Sequence, residues 1–348
     1  MGRDAAGNEP AVMQSPLVVG SEPVKTSACL VNRHGAQARE IGDLGQISDI
    51  LKETDSFVWL DVADPGPGDL KLIQEEFGLH PLAVEDAVKA HQRPKLEAYD
   101  DAWFIVVHGA TRAGDELRIH EIAIFVGARY VVTVRDEPLY PVDEIQRRWH
   151  GGNGVQAGPG ALLYTILDTV VDGYTPIAEA FEDRVEELEG ELLRRGTHTE
   201  SVLLAIYEMK KELHRFRRAV VPMRDILTPI MRGDVTLLPS GDLPYFRDVY
   251  DHVARAVDLL DDTRDLVNNA RDTHISMASH RQNEVSKQLT IVATVFLPLT
   301  FITGFFGQNF GWLVNHITST ASFVELGVGS EIVAFAALLW YFRYKHWF

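Results

Sequence analysis

The chain has 348 residues, 46% hydrophobic and 24% charged, enough for more than one domain. Fifty acidic residues against 33 lysines and arginines give a net charge of −17, which disfavours nucleic acid as a partner and suits a protein that handles cations. A single cysteine, Cys29, excludes a disulfide framework and any multi-thiolate metal site, and the thirteen histidines show no HExxH or similar zinc spacing.

Residues 1–26 are rich in Gly, Pro, Ala and Glu but have no apolar core, so they read as a disordered tail and not as a signal peptide. Residues 27–150 alternate short strands and helices. Ser56–Val62, Trp103–His108, Arg118–Val126 and Tyr130–Val134 are β-branched or aromatic runs, and Gly127-Ala128-Arg129 between the last two signals a hairpin. Asp69–Phe77 and Leu82–Ala90 read as short helices parted by His80-Pro81, and Pro141–Trp149 begins another. The expectation is a mixed α/β domain with a largely antiparallel sheet.

Gly151–Gly160 is a glycine-rich break, and beyond it strands disappear. Residues 161–241 read as a helical hairpin region. Ala161–Arg195 has apolar residues at helical spacing and reads as one helix, Glu200–Val221 as the next, and Pro222 sets off Met223–Met231. The acidic run from Glu179 to Glu191 is either a solvated face or a cation-attracting surface. Asp242, with Pro244 just behind it, can open a helix that meets no proline until Pro298 and no glycine until Gly304. Residues 242–306 are thus one stalk helix of roughly 90 Å. Phe246, Val249, Val253, Val257, Leu260, Val267 and Ala270 form its packing seam. Asp248, Asp251, Asp258, Asp261, Asp262, Asp265 and Asp272 run along a broad strip. It is a solvated face or a set of hard oxygen ligands for Mg2+ or Ca2+.

The stalk ends in Leu289–Phe306, an uncharged stretch long enough to cross a bilayer. A second apolar run, Gly327–Phe342, lies within a span placed at 321–342, after a connecting loop at 307–320 and before a basic tail at 343–348. Arg281, Lys287, Arg343 and Lys345 flank the two spans while Phe310–Phe323 holds no Lys or Arg, which puts both termini in the cytoplasm and the loop outside. Asn283, Ser286, Leu289 (or Thr290), Ala293, Leu297, Thr300 and Gly304 follow at steps of three and four. This narrow stripe is a helix–helix contact face or the wall of a pore. Two spans cannot enclose an aqueous path, so a pore requires a symmetric oligomer. Gly307-Gln308-Asn309 sits at the outer end of the stripe. There a ring of Asn309 oxygens would suit a small cation recognised with its waters attached.

Several of these stretches together resemble the CorA family of magnesium/cobalt transporters. They are Asn283–Thr290, Leu297–Ile302, Gly304 with Gly307–Phe310, His80-Pro81-Leu82 with Glu85-Asp86, and His91–Lys95. Tyr164–Asp168, Pro222-Met223-Arg224 and Pro244–His252 match as well. The resemblance runs from about Ser27 to the C-terminus. It implies a funnel-shaped homopentamer in the inner membrane, an α+β cytoplasmic domain, long helices and two C-terminal transmembrane helices. It also implies a selectivity filter of Gly307, Gln308 and Asn309. Asn283, Ser286, Leu289, Ala293, Leu297, Thr300 and Gly304 would line the pore, with Leu289 and Leu297 as a hydrophobic gate. Regulatory Mg2+ would bridge Asp86 of one subunit and Asp248 of the next, with Glu85 nearby, and would leave to open the pore when Mg2+ is scarce. The implied function is Mg2+ uptake with Co2+ and Ni2+ as secondary ions. A zinc transporter of the ZntB type is the alternative within the superfamily, and a tethered binding protein without a pore the alternative outside it. No nucleophile–base pairing, phosphate loop or cofactor motif points to an enzyme.

The chain departs from the family pattern at Gln308, where Met is usual, and at Ser286, where a bulkier apolar residue is common. Its outer loop also lacks carboxylates over Phe310–Phe323. Glu331 lies inside the second apolar run, where a charge is costly unless protonated or paired.

Overall fold

The computed structural model describes residues 25–32, 39–40, 45, 47–52, 56–89, 92–114, 116–135, 142–150, 158–195, 200–316, 318–345 and 347. The expected tail lies outside these residues up to position 24, and the glycine-rich break up to position 157. The chain divides into two compact units, residues 1–187 with 205–267 and residues 188–204 with 268–348.

In the first unit a seven-stranded sheet has the order β2-β1-β3-β7-β6-β5-β4. The strands are β1 (Lys25–Asn32), β2 (Arg39–Glu40), β3 (Ser56–Ala63), β4 (Lys95–Tyr99), β5 (Ala102–Ala113), β6 (Glu116–Gly127) and β7 (Tyr130–Arg135). Among the described residues only β3 and β7 pair in parallel; every other neighbour is antiparallel, as expected of a largely antiparallel sheet. The β6–β7 hairpin turns where Gly127 signalled it. A Cβ at Gly127 would collide with the Tyr130 ring, so the turn needs glycine for close approach.

Alternation along the strands divides the core. Val58, Leu60 and Val62 of β3, Phe104 and Val106 of β5, Ala123 and Phe125 of β6, and Val132 and Val134 of β7 share one buried cluster. It also holds Ile47 of α1 (Ile47–Ile50), Leu70, Ile73 and Phe77 of α2 (Pro67–Phe77), and Ala83 and Val84 of α3 (Pro81–Val88). Asp69 accepts from the Gly66 amide at 2.9 Å to start α2, and Gly78 ends it in the left-handed region at φ 65°. His80 caps α3, its Nδ1 accepting from the Leu82 amide at 3.3 Å.

On the other face Trp149 of α4 (Val142–His150) packs edge-on against Phe57 and Trp59. A buried polar network sits there too. Arg135 donates from Nε and Nη2 to the two oxygens of Asp61 at 3.0 and 2.7 Å, and Thr133 donates to Asp61 at 2.6 Å. The Trp59 indole donates to Thr133 at 3.2 Å.

The single helix expected over Ala161–Arg195 is two, α5 (Pro159–Asp172) and α6 (Tyr174–Arg195). Gly173 parts them, in close approach to β5: a Cβ there would stand 3.3 Å from the Ala110 carbonyl oxygen. Tyr174 donates its hydroxyl to the His108 carbonyl, which fixes the start of α6. Pro176 then falls in the first turn, where its missing N–H removes no intrahelical bond. The helices α7 (Glu200–Val220) and α8 (Met223–Arg232) meet at Pro222 as expected. In α9 (Leu243–Phe306), 64 residues without a break, all seven predicted seam residues are buried. Arg217 and Arg224 bind Asp261 and Asp258 at 3.0 and 3.4 Å, tying α7 and α8 to α9.

The second unit carries the apolar end of α9, the short α10 (Gly311–His316) within the connecting segment, and a second apolar stretch over Thr320–Tyr344. That stretch begins as α11 (Thr320–Ser322), passes through a π-helical turn (Phe323–Val328) and continues as α12 (Gly329–Tyr344). It overruns the expected 321–342 at both ends. Both helical stretches are long and apolar enough to cross a membrane.

Candidate functional site

The predicted stripe can be judged on the apolar end of α9. Asn283, Ser286, Leu289, Ala293, Leu297, Thr300 and Gly304 are all exposed, Leu289 and Leu297 at 70% and 72%. Positions 291, 294, 295, 298, 299, 302 and 306 are partly covered. At about 100° per residue the two sets lie on roughly opposite sides of the helix. Thr300 donates its hydroxyl to the Phe296 carbonyl at 2.8 Å. Its proton is thereby spent inside the helix, which leaves the oxygen lone pairs facing out, the polarity a cation requires.

The helix ends at Phe306. The Gly307 amide donates to the Thr303 carbonyl at 2.9 Å, and a Cβ on Gly307 would stand 3.1 Å from that same oxygen. The chain then turns, the Gln308 amide donating to the Phe305 carbonyl and the Phe310 amide to the Gln308 carbonyl at 2.8 Å. Gln308 and Asn309 are exposed. Gly307, Gln308 and Asn309 thus form a compact turn with both amide side chains on its surface.

In the first unit the expected regulatory residues occupy two places. Asp86 accepts from Lys95 Nζ at 2.6 Å, and Lys95 also donates to Glu97 at 2.8 Å. Glu85 pairs with Lys89 on the exposed side of α3. Asp248 stands elsewhere, with Asp168 and His252, the three ligand atoms within 4.8 Å of one another. Within one chain, then, Asp86 and Asp248 belong to different clusters.

Asp168 and His252 were not singled out from the sequence, although both fall in stretches that resemble the family. Their signal is spacing: Asp168 and Asp172 on α5, and Asp248 and His252 on α9, are each four apart and so share a helix face. Arg148 donates to Asp168 at 3.2 Å and to Asp172 at 2.7 Å, and His252 Nδ1 lies 3.7 Å from Asp172. Burial, reinforced by the Asp172 and Asp248 charges, pushes Asp168 up to about 6 despite Arg148 and His252. Burial and the same aspartates push the Tyr164 phenol up to about 12. The cluster is short of positive charge. Carboxylate oxygens with an imidazole are a donor set that fits a divalent cation, which would relieve that shortage.

A mixed-sheet body, one unbroken helix leading into two apolar helices, and an uncovered polar stripe ending in exposed amides define a membrane protein of the ion-transporter class. A family model, that of the CorA-like Mg2+ transporter protein, matches residues 54–344. The chain is 31% identical over 302 residues to the cobalt/magnesium transport protein CorA of Thermotoga maritima, covering 85% of each. It is 23% identical over 274 residues to the zinc transport protein ZntB of Yersinia enterocolitica, covering 77% of this chain and 81% of that one. The solved structure of the CorA magnesium transporter from Methanocaldococcus jannaschii shares the fold, with a TM-score of 0.79 at 22% identity over 92% of this chain and 99% of that one. The chain belongs to the CorA-like Mg2+ transporter family, a family of transporters and not of enzymes, and it is a divalent metal ion transporter.

Proposed function

We propose that five copies of the chain assemble around an axis in the inner membrane, with the α9 span of each lining a pore for Mg2+ uptake and with Co2+ and Ni2+ as secondary ions. Both termini are cytoplasmic. The observation that carries this reading is the stripe from Asn283 to Gly304, uncovered along its whole length on the side away from the partly covered face. One chain offers one strip of a channel wall, and symmetric repetition completes it. Gly307, Gln308 and Asn309 form the outer entrance, where neutral amide oxygens meet an ion that dehydrates reluctantly. Leu289 and Leu297 close the path by excluding water.

Cytoplasmic Mg2+ holds the closed state. Asp86 and Asp248, with Glu85 near the first, are the residues that bridge subunits; the Asp168, Asp248 and His252 cluster extends the second half of that site. The presence of a zinc transporter among the relatives, together with Gln308 in the entrance, favours one further reading, a pathway for Zn2+. Competition among Mg2+, Co2+, Ni2+ and Zn2+ in one flux assay separates the two.

The test of the pore is Asn309→Ala in proteoliposomes. Uptake of Mg2+ should be abolished while the mass of the purified oligomer is unchanged. Wild-type uptake by the variant, or a single chain in mild detergent, refutes the reading.

A further inference from the structure

Glu331 has no role in the scheme above, yet its surroundings are informative. Between Lys287 and Arg343 the chain holds no lysine or arginine. A carboxylate in the second apolar stretch therefore has no cationic side chain in the membrane region of its own chain to neutralise it, and such groups persist only where they are paired or used. The π-helical turn Phe323–Val328 comes just before it, a local winding that often re-aims side chains at working sites.

Glu331 faces a cleft of about 510 Å³ whose other walls include Gln308, Asn309, Thr303, Phe323 and Val328. Thr303 has spent its hydroxyl proton on the Leu299 and Thr300 carbonyls at 2.9 and 3.0 Å, so it can only accept. The Gly307 and Gln308 backbone amides are engaged as well. The side-chain amides of Gln308 and Asn309 are donors on the lining. Neither Gln308 nor Glu331 has a side-chain partner among the described residues, although both line one largely apolar cleft. Glu331 is half-buried there, so a donor within reach would stabilise its carboxylate.

We propose that Glu331 is a positioning residue for the entrance: it accepts a hydrogen bond from the Gln308 side chain, directly or through one water. This braces the turn at Gly307 and leaves the neighbouring Asn309 free for the ion. Gln308 and Glu331 are then a matched pair, and the pair sets how well the entrance discriminates among hydrated divalent cations. The inference rests on the reading of Gly307-Gln308-Asn309 as the ion entrance. Of the titratable groups on the elements around the cleft, His316 of α10 and Glu325 of the π-helical turn do not line it.

The experiment is a double-mutant cycle in proteoliposomes, reading Mg2+ uptake and the ratio of Mg2+ to Co2+ uptake for wild type, Q308M, E331L, E331Q and Q308M/E331L. E331L should lower the ratio about tenfold, the cost of an unpaired partner to a charged hydrogen bond. E331Q, which still accepts from Gln308, should stay near wild type. Q308M/E331L, which removes both polar groups, should recover to within about threefold of wild type, a non-additivity only coupled residues give. Should E331L fail to assemble, the double variant should assemble again. An unchanged ratio in E331L, additive effects, or failure of the double variant to recover overturns the pairing. Failure of wild type to take up either ion would instead overturn the function proposed above, so the two failures are distinct.

Discussion

The sharpest consequence of the Asp168, Asp248 and His252 cluster in the first unit concerns Asp168→Asn. The Asp168 side chain is 15% exposed, and burial with the Asp172 and Asp248 charges raises its pKa from 3.8 to about 6. A raised folded value means that the native state holds this proton over a range where the unfolded chain has lost it. The group's stabilising contribution is therefore complete below about pH 4 and lost as pH rises through about 6. A rise of that size corresponds to about 3 kcal/mol against the metal-free fold at neutral pH. Asn keeps the shape and removes the charge. Metal-free D168N should thus be more stable than wild type by up to about 3 kcal/mol near pH 7.5, with the gain vanishing near pH 4. Mg2+ should act in the opposite sense, stabilising wild type and leaving D168N nearly unchanged. Because the ion must displace a proton from a group titrating near 6, its apparent affinity for wild type should be about tenfold weaker near pH 5 than near pH 7.5. Thermal unfolding of the full chain in detergent, with and without millimolar Mg2+ across this pH range, measures all of these. Equal Mg2+ stabilisation of wild type and D168N would refute the assignment of Asp168 as a ligand.

Three further outcomes are expected. Asp248→Asn should weaken the protection that Mg2+ gives against limited proteolysis, and digestion that ignores Mg2+ in wild type would remove the sensor altogether. Leu297→Ser, in the middle of the uncovered stripe, should wet the closed pore and raise Mg2+ leak in Mg2+-loaded vesicles without lowering the yield of oligomer. Asp61→Asn leaves Arg135 buried without its carboxylate and should cost about 3–5 kcal/mol in denaturant unfolding, with no change in the Mg2+ to Co2+ uptake ratio.

What was legible in the sequence depended on whether a segment's surroundings are periodic. The seam of α9 was readable because one face of a helix repeats every three or four residues, and every predicted seam residue is buried. The strands β3, β5, β6 and β7 were readable because both sheet faces are covered and their sequences are nearly continuous apolar runs. The strand β4 was missed: at the sheet edge Lys-Leu-Glu-Ala-Tyr carries two charges that pair with each other and with Asp86. The break at Gly173 was missed because the apolar spacing runs through it; what parts the helices is the nearness of β5, a tertiary fact. The same holds for Asp168. Its i,i+4 partner is visible in sequence, but its meeting with Asp248 and His252 requires α5 to pack beside α9.

The membrane region argues for assembly on its own terms. A lone span in lipid would turn the Thr300 oxygen and the stripe's glycine to hydrocarbon, and would place the Gln308 and Asn309 amides at a surface with nothing to bind. Thr300 can give its proton to its own helix, but nothing along the stripe uses the oxygen. The opposite side of the same helix is the side already partly covered. A hydroxyl and a glycine on the open side, with cover on the other, suit a helix-packing or pore-lining face better than one turned to lipid. Turning the open side toward the same side of neighbouring copies places water and cations where the lone pairs point and puts apolar surface against lipid. That is the arrangement the proposed ring would supply.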